Sequence, residues 1–238
     1  MPSVSSVPTA IVLCTTLSYG IGWALDIPAL VPVLNTAASF PFMVLALKRG
    51  DLRLAIARML VWALAMGVCA TLLSFARPAQ TETLFLRGAE YRAEMFAWVL
   101  TGRGAESTPS QFIPEQAAHT LLFVALALAT GSVLAMPMGA VLMNYMGHYV
   151  GTLAAQSAHP LRTLLLAWHP WAVIRVVSFV VLGVVLSVPV LSRVARLKPV
   201  GDVRPYLAAA GGGLVLDVVL KWLLAPAWQR LLLRVVGW

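Results

Sequence analysis

Long apolar runs separated by short polar breaks dominate the chain. The first covers about residues 9–25 and is broken by Asp26, Pro28 and Pro32. A second reaches Leu47, and a third covers about 55–76. A helix rising 1.5 Å per residue needs about 20 apolar residues to cross a hydrocarbon layer about 30 Å thick. Each run is therefore a candidate crossing. Residues 117–155 are apolar almost throughout, long enough for two crossings. Pro137 and the small residues around it mark the expected reversal, giving spans of about 117–135 and 138–156. A short segment with Leu161, Leu164, Leu165 and Trp168 lies between two His-Pro pairs. Two further spans follow, at about 171–191 and 206–225.

The stretch 77–116 is the longest polar one, but it is patterned. Leu84, Tyr91, Met95 and Trp98 recur at helical spacing, with Arg87, Glu90 and Glu94 elsewhere on the wheel. This predicts an amphipathic helix at the membrane interface, with aromatic rings at headgroup depth. The expected fold is all-α: one polytopic transmembrane helical bundle over 1–238, with about seven spans (six if one early run does not cross) and 77–116 as an external loop.

Composition agrees with this reading. Hydrophobic residues make up 60% of the 238, and charged residues only 11%. A soluble domain carries about 25% charged residues. The formal net charge of +8 does not point to nucleic acid, because the basic residues gather in short loops. Lys48, Arg49, Arg53 and Arg58 flank Asp51, and Arg193, Arg196, Lys198 and Arg204 flank Asp202. The stretch 77–115 has four arginines against five glutamates. Basic loops remain cytoplasmic. Four spans separate the two basic loops, so both fit on one side. The expected location is a cytoplasmic (inner) membrane with a cytoplasmic N-terminus. Arg230 and Arg234 then fall on the outer side, the one feature at odds with the scheme. Met1 to Pro8 carry no Lys or Arg, which argues against a secretory signal. Cys14 and Cys69 lie in apolar runs without a CxxC neighbour and read as packing residues.

Candidate chemistry concentrates in the later spans. Asp217 and Lys221 are four apart and share a helical face. An isolated intramembrane charge costs about 2.5–3.5 kcal/mol on insertion scales, and such charges often mark ion or proton pathways. The alternatives are a structural pair, or a Lys221 that snorkels to the boundary. Asn144 and His148 are also four apart and are candidates to line a transport path. Arg175, one turn into its span, is expected to reach outer headgroups or to contact an anionic lipid or substrate. Gly147 and Gly151, and the run Gly211, Gly212, Gly213, predict close helix packing.

A metal or haem is the alternative at His119, His148, His159, His169 and Glu115, since imidazole is the commonest protein metal ligand. Yet HExxH and CxxCH spacings are absent, as are a GxSxG elbow and a phosphate-binding Gly-rich loop. No catalytic residues are assigned, and the balance is against an enzyme.

Residues 119–186 resemble the stage II sporulation protein M-like membrane family. The shared features are a Gly/Ala-rich double span, Asn144 followed by Gly147 and Gly151, and a polar loop ending at His169 before another span. Pro170 and Arg175 depart from that family's Gly and acidic residue. The resemblance covers under a third of the chain and implies a scaffold or complex subunit. The combined expectation is a structural or permease-like subunit of a membrane complex, with lipid and other membrane subunits as partners. A metal- or haem-dependent protein and a lipid-handling protein are the alternatives.

Overall fold

A computed structural model describes residues 6–238, so most of the Met1–Pro8 stretch lies outside the described residues. The described chain is helical, without strands. Helix α1 is Ser6–Leu25, and a 3-10 turn at Pro28–Leu30 leads into α2, Val31–Ala37, and α3, Phe40–Lys48. Then come α4, Leu52–Ala76; α5, Pro78–Leu84; α6, Gly88–Thr101; α7, Pro109–Thr130; and α8, Ala135–Ala155. The chain ends with α9, Pro160–Ala167; α10, Pro170–Val194; and α11, Arg204–Val236.

Local chemistry sets these boundaries. The Asp51 carboxylate accepts from the Leu54 amide at 2.8 Å and caps α4, satisfying one of the free N–H groups of its first turn. Pro78, Pro109, Pro160, Pro170 and Pro205 stand in the first turns of their helices, where no amide donor is needed. The reversal between α7 and α8 falls at residues 131–134, not at Pro137. Gly131 takes the left-handed conformation (φ 60°) that ends α7, while Pro137 is accommodated in the opening turn of α8.

Six helices are long and apolar enough to cross a membrane: Ser6–Leu25, Pro28–Lys48, Leu52–Ala76, Pro109–Thr130, Pro170–Val194 and Arg204–Val236. Their outward faces carry exposed Leu13, Leu17, Leu64, Leu121, Val215 and Leu223, as a lipid-facing surface requires. Helix α8 is the less apolar seventh long helix, and it occupies the middle of the bundle. Most of its residues are buried by protein, so its polar groups face other helices and not hydrocarbon. Gly151 opposes the α4 backbone so closely that an added Cβ would meet Thr71 O, the Ser74 Cβ at 2.7 Å and the Phe75 amide at 2.8 Å. Small residues permit that backbone approach.

The two basic loops meet at one end of the bundle. Arg53 Nε donates to the Tyr206 hydroxyl at 3.1 Å, and Gly50 lies against Pro199. The opposite end is a helical cap built from α5, α6, α9 and the end of α11. Its core holds Met95, Trp98, Tyr149, Leu153, Trp171 and Leu232. The apolar face of α6 is seated on this core.

Helix α11 is longer than its predicted span of 206–225. Its 33 residues rise about 50 Å, more than a bilayer core needs. The surplus turns dock on the cap: Trp228 Nε1 donates to Leu166 O at 2.8 Å, and Gln229 Nε2 to Val99 O at 2.5 Å. Arg230 and Arg234 lie exposed on this extension, beyond the apolar part of the helix.

Candidate functional site

The intramembrane charges are neutralised by partners from other elements. Asp217, fully buried on α11, accepts from Arg175 of α10 in a two-pronged pair, Nε at 2.8 Å and Nη2 at 3.0 Å. Gln116 of α7 donates to the same carboxylate. Lys221 pairs with Glu106, from the loop between α6 and α7, at 2.8 Å. Its ammonium also stands 4.6 Å from the centre of the Phe112 ring. Trp171 Nε1 donates to the other Glu106 oxygen at 3.3 Å. The helical-face pairing of Asp217 with Lys221 is therefore corrected. Arg175 does not snorkel to a headgroup, because its guanidinium is turned onto Asp217.

Glu106 illustrates the electrostatics. Burial pushes its carboxyl up, but Lys221, Arg175 and His169 more than offset this and hold it at about 2. Burial pushes the neighbouring His169 imidazole down to about 4, so at neutral pH it is uncharged. His169 stacks on Trp171 with ring centres 4.7 Å apart and meets the Trp98 ring at 5.2 Å.

These groups border a cavity of about 550 Å3 between α4, α6, α7, α8 and α10. Its polar liners, Tyr91, Glu94, Arg103, Glu106, Glu115, Gln116, His119, Tyr145, Arg175 and Lys221, come largely from the cap and the helix halves next to it. Its apolar liners include Met43, Met59, Trp62, Met136, Leu142 and Val184, from helix halves nearer the basic loops. The cavity is thus polar at one end and apolar at the other. Two of the lining residues carry a buried polar atom with no hydrogen-bond partner among the described residues, Trp98 Nε1 and Gln116 Oε1.

The other expected residues fall elsewhere. Asn144 and His148 do not line this cavity. Asn144 accepts from the Tyr19 hydroxyl at 2.5 Å and donates to Asn35 Oδ1 at 3.1 Å, joining α8 to α1 and α2. His148 Nδ1 lies 3.1 Å from Ser74 Oγ and 3.4 Å from Thr81 Oγ1, joining α8 to α4 and α5. Gly147 and Gly151 pack on α4. Of the α11 glycines only Gly213 is packed, against Ser178, while Gly211 and Gly212 face open space. Close packing is thus corrected for those two.

The four histidines also disperse. His159 precedes α9, His148 is buried against Phe85, His169 is buried against Trp98 and Trp171, and only His119 lines the cavity, together with Glu115. Among the described residues no three His, Cys, Asp or Glu side chains come together as a metal site, which corrects the grouping of His119, His148, His159, His169 and Glu115.

Glu106, Gln116 and Trp98 are the site residues that sequence reasoning missed. Charge balance offered a signal. The spans hold two deep cations, Arg175 and Lys221, but only one deep anion, Asp217, so a second anion had to arrive from a loop. Comparison with known proteins returns no match: no family model, no curated protein and no solved structure aligns with the chain.

Proposed function

We propose that this polytopic membrane protein binds an amphiphilic membrane lipid, head toward the cap and chain toward the basic loops. The observation that carries this reading is the division of one cavity into a polar end and an apolar end along the bundle axis. Its volume lies within the range of about 300–1,000 Å3 usual for small-molecule sites. The methionines of the apolar wall suit a flexible chain, because unbranched thioethers adapt to irregular shapes. The lipid-handling reading therefore takes precedence over the scaffold and metal readings. A permease-like role would use the same cavity, with the Arg175–Asp217 and Lys221–Glu106 pairs as the contacts that part when it opens.

The basic loops support a cytoplasmic placement of their end, and hence of the N-terminus, in an inner-membrane type of bilayer. The cap, the end of α11 and the polar end of the cavity then face outward.

Native mass spectrometry after mild-detergent purification tests the proposal. The expected result is a retained lipid, with lower occupancy in Gly139→Leu. Gly139 lines the cavity, and a Cβ there would sit 3.7 Å from Phe123, an ordinary contact, so the position accepts a side chain beside the cavity. Retention of no lipid, or unchanged occupancy in folded Gly139→Leu, would overturn it.

A further inference from the structure

The wall of the polar end holds two kinds of unspent hydrogen-bonding capacity. Trp98 Nε1 is a donor without a partner, on a side chain only 1% exposed. Arg175 commits Nε and Nη2 to Asp217, and its Nη1 makes no hydrogen bond among the described residues. Both donors suit an anionic oxygen. Gln116 Oε1 is the opposite case, a buried acceptor without a partner on a residue 8% exposed. Glu94 and Glu115 line the same cavity, and neither takes part in an ion pair among the described residues. Gln116 Oε1 calls for a donor, and the exposed Glu94 and Glu115 carboxylates are free to accept from one that enters beside them.

Charge narrows the choice further. The cavity's basic liners are Arg103, Arg175 and Lys221, and its acidic liners are Glu94, Glu106 and Glu115. Asp217, bonded to Arg175, leaves the group one negative charge in excess. A head that is only anionic would find donors but no surplus cation, and would stand near unpaired carboxylates. Such like-charge contacts disfavour binding. Tyr91 lies within electrostatic reach of Glu94, Glu106, Glu115 and Arg175 together, so these charges serve one region.

Resting on the amphiphile reading above, we infer that the ligand is a zwitterionic phospholipid whose head carries a phosphate and a primary ammonium. The phosphate takes the Arg175 Nη1 and Trp98 Nε1 donors. The ammonium N–H groups take Gln116 Oε1 and the rim carboxylates Glu94 and Glu115. A quaternary ammonium has no N–H to give and leaves those acceptors unpaired.

Lipid exchange from vesicles tests this, read by native mass spectrometry of the full chain. The vesicles carry phosphatidylethanolamine, phosphatidylglycerol, phosphatidylcholine or diacylglycerol with identical chains. Ethanolamine heads are expected to bind about tenfold or more tightly than glycerol or choline heads, as one hydrogen bond to a charged group implies. Glu94→Gln combined with Glu115→Gln should reduce the preference for ethanolamine over glycerol to about twofold or less. Both are surface carboxylates, so folding is preserved. Trp98→Phe keeps an aromatic ring but removes the donor. It should weaken both phospholipids about tenfold or more and leave diacylglycerol unchanged. Equal occupancy by ethanolamine and glycerol heads, or by ethanolamine and choline heads, overturns the inference while the cavity reading stands. Binding of no lipid from any vesicle removes the cavity reading itself.

Discussion

Lys221 pairs with Glu106, 115 residues earlier in the chain, and not with Asp217, one turn away on its own helix. The Lys221 side chain is 4% exposed and that of Glu106 14%, so neither charge has ready access to water. Deleting one partner of a buried pair leaves an uncompensated charge and costs about 3–5 kcal/mol. Lys221→Met should therefore lower the thermal midpoint sharply, and adding Glu106→Gln should recover most of the loss. A thermodynamic cycle on these two residues is expected to give a coupling above about 1 kcal/mol. The cycle on Lys221 and Asp217 should give a smaller one. Equal couplings would refute the assignment of partners.

Asn144 is a packing residue at the centre of a four-helix contact. It joins Tyr19 of α1 and Asn35 of α2, and Asn35 in turn donates to Ser18 Oγ at 2.7 Å and accepts from Trp62 Nε1 at 2.9 Å. Asn144→Ala leaves Asn35 Oδ1 without its donor, at about 1–3 kcal/mol, takes the shorter of two acceptors from the Tyr19 hydroxyl, and empties the space of a buried side chain. Tyr19→Phe removes only the hydroxyl, which also reaches Met66 O at 3.3 Å, and should cost less. Unfolding followed by tryptophan fluorescence is expected to rank Asn144→Ala as the more damaging. Lipid occupancy per folded molecule should remain unchanged in Tyr19→Phe.

The glycines separate in the same way. Gly151→Ala forces a methyl group against the α4 backbone and is expected to destabilise by about 1–3 kcal/mol, as overpacking does. Gly211→Ala and Gly212→Ala meet nothing within 4 Å and should be neutral or stabilising by up to about 1 kcal/mol through helix propensity. Thermal midpoints of the three single variants check the contrast.

The span pattern was legible because apolar runs of bilayer length have few other uses. Counting spans put the two basic loops at one end of the bundle, and there they do meet through Arg53 and Tyr206. Pro137 misled as a turn because proline also fits the first turn of a helix, while the Gly131-Ser132 pair that makes the reversal carries no apolar break. Asn144 and His148 looked like a path because polar groups in a span often line one. Here α8 is surrounded by other helices, which supply hydrogen bonds to Asn144 and to His148 Nδ1. Glu106 was illegible for a different reason. A lone carboxylate in a polar loop has no local signal, and only the fold brings it to Lys221.

Acid should weaken the cap. Burial pushes the His169 imidazole down from 6.5 to about 4, with Lys221 and Arg175 pushing the same way and Glu106 opposing. Between those two values the unfolded chain binds a proton that the folded one does not. Stability therefore rises with pH across that window. The contribution is fully present above about pH 6.5 and is lost as the pH falls toward about 4, amounting to about 3 kcal/mol at about 1.4 kcal/mol per pH unit. Glu106 acts lower down. Its folded value of about 2 against an ordinary 4.5 gives stability present above about 4.5 and lost as the pH falls toward about 2. Thermal midpoints measured from pH 7 to 4 should fall in the wild type, and His169→Phe should flatten that fall while keeping an aromatic ring against Trp171. A His169→Phe profile that declines as steeply as the wild type between pH 6.5 and 4 would show that another group governs the acid response.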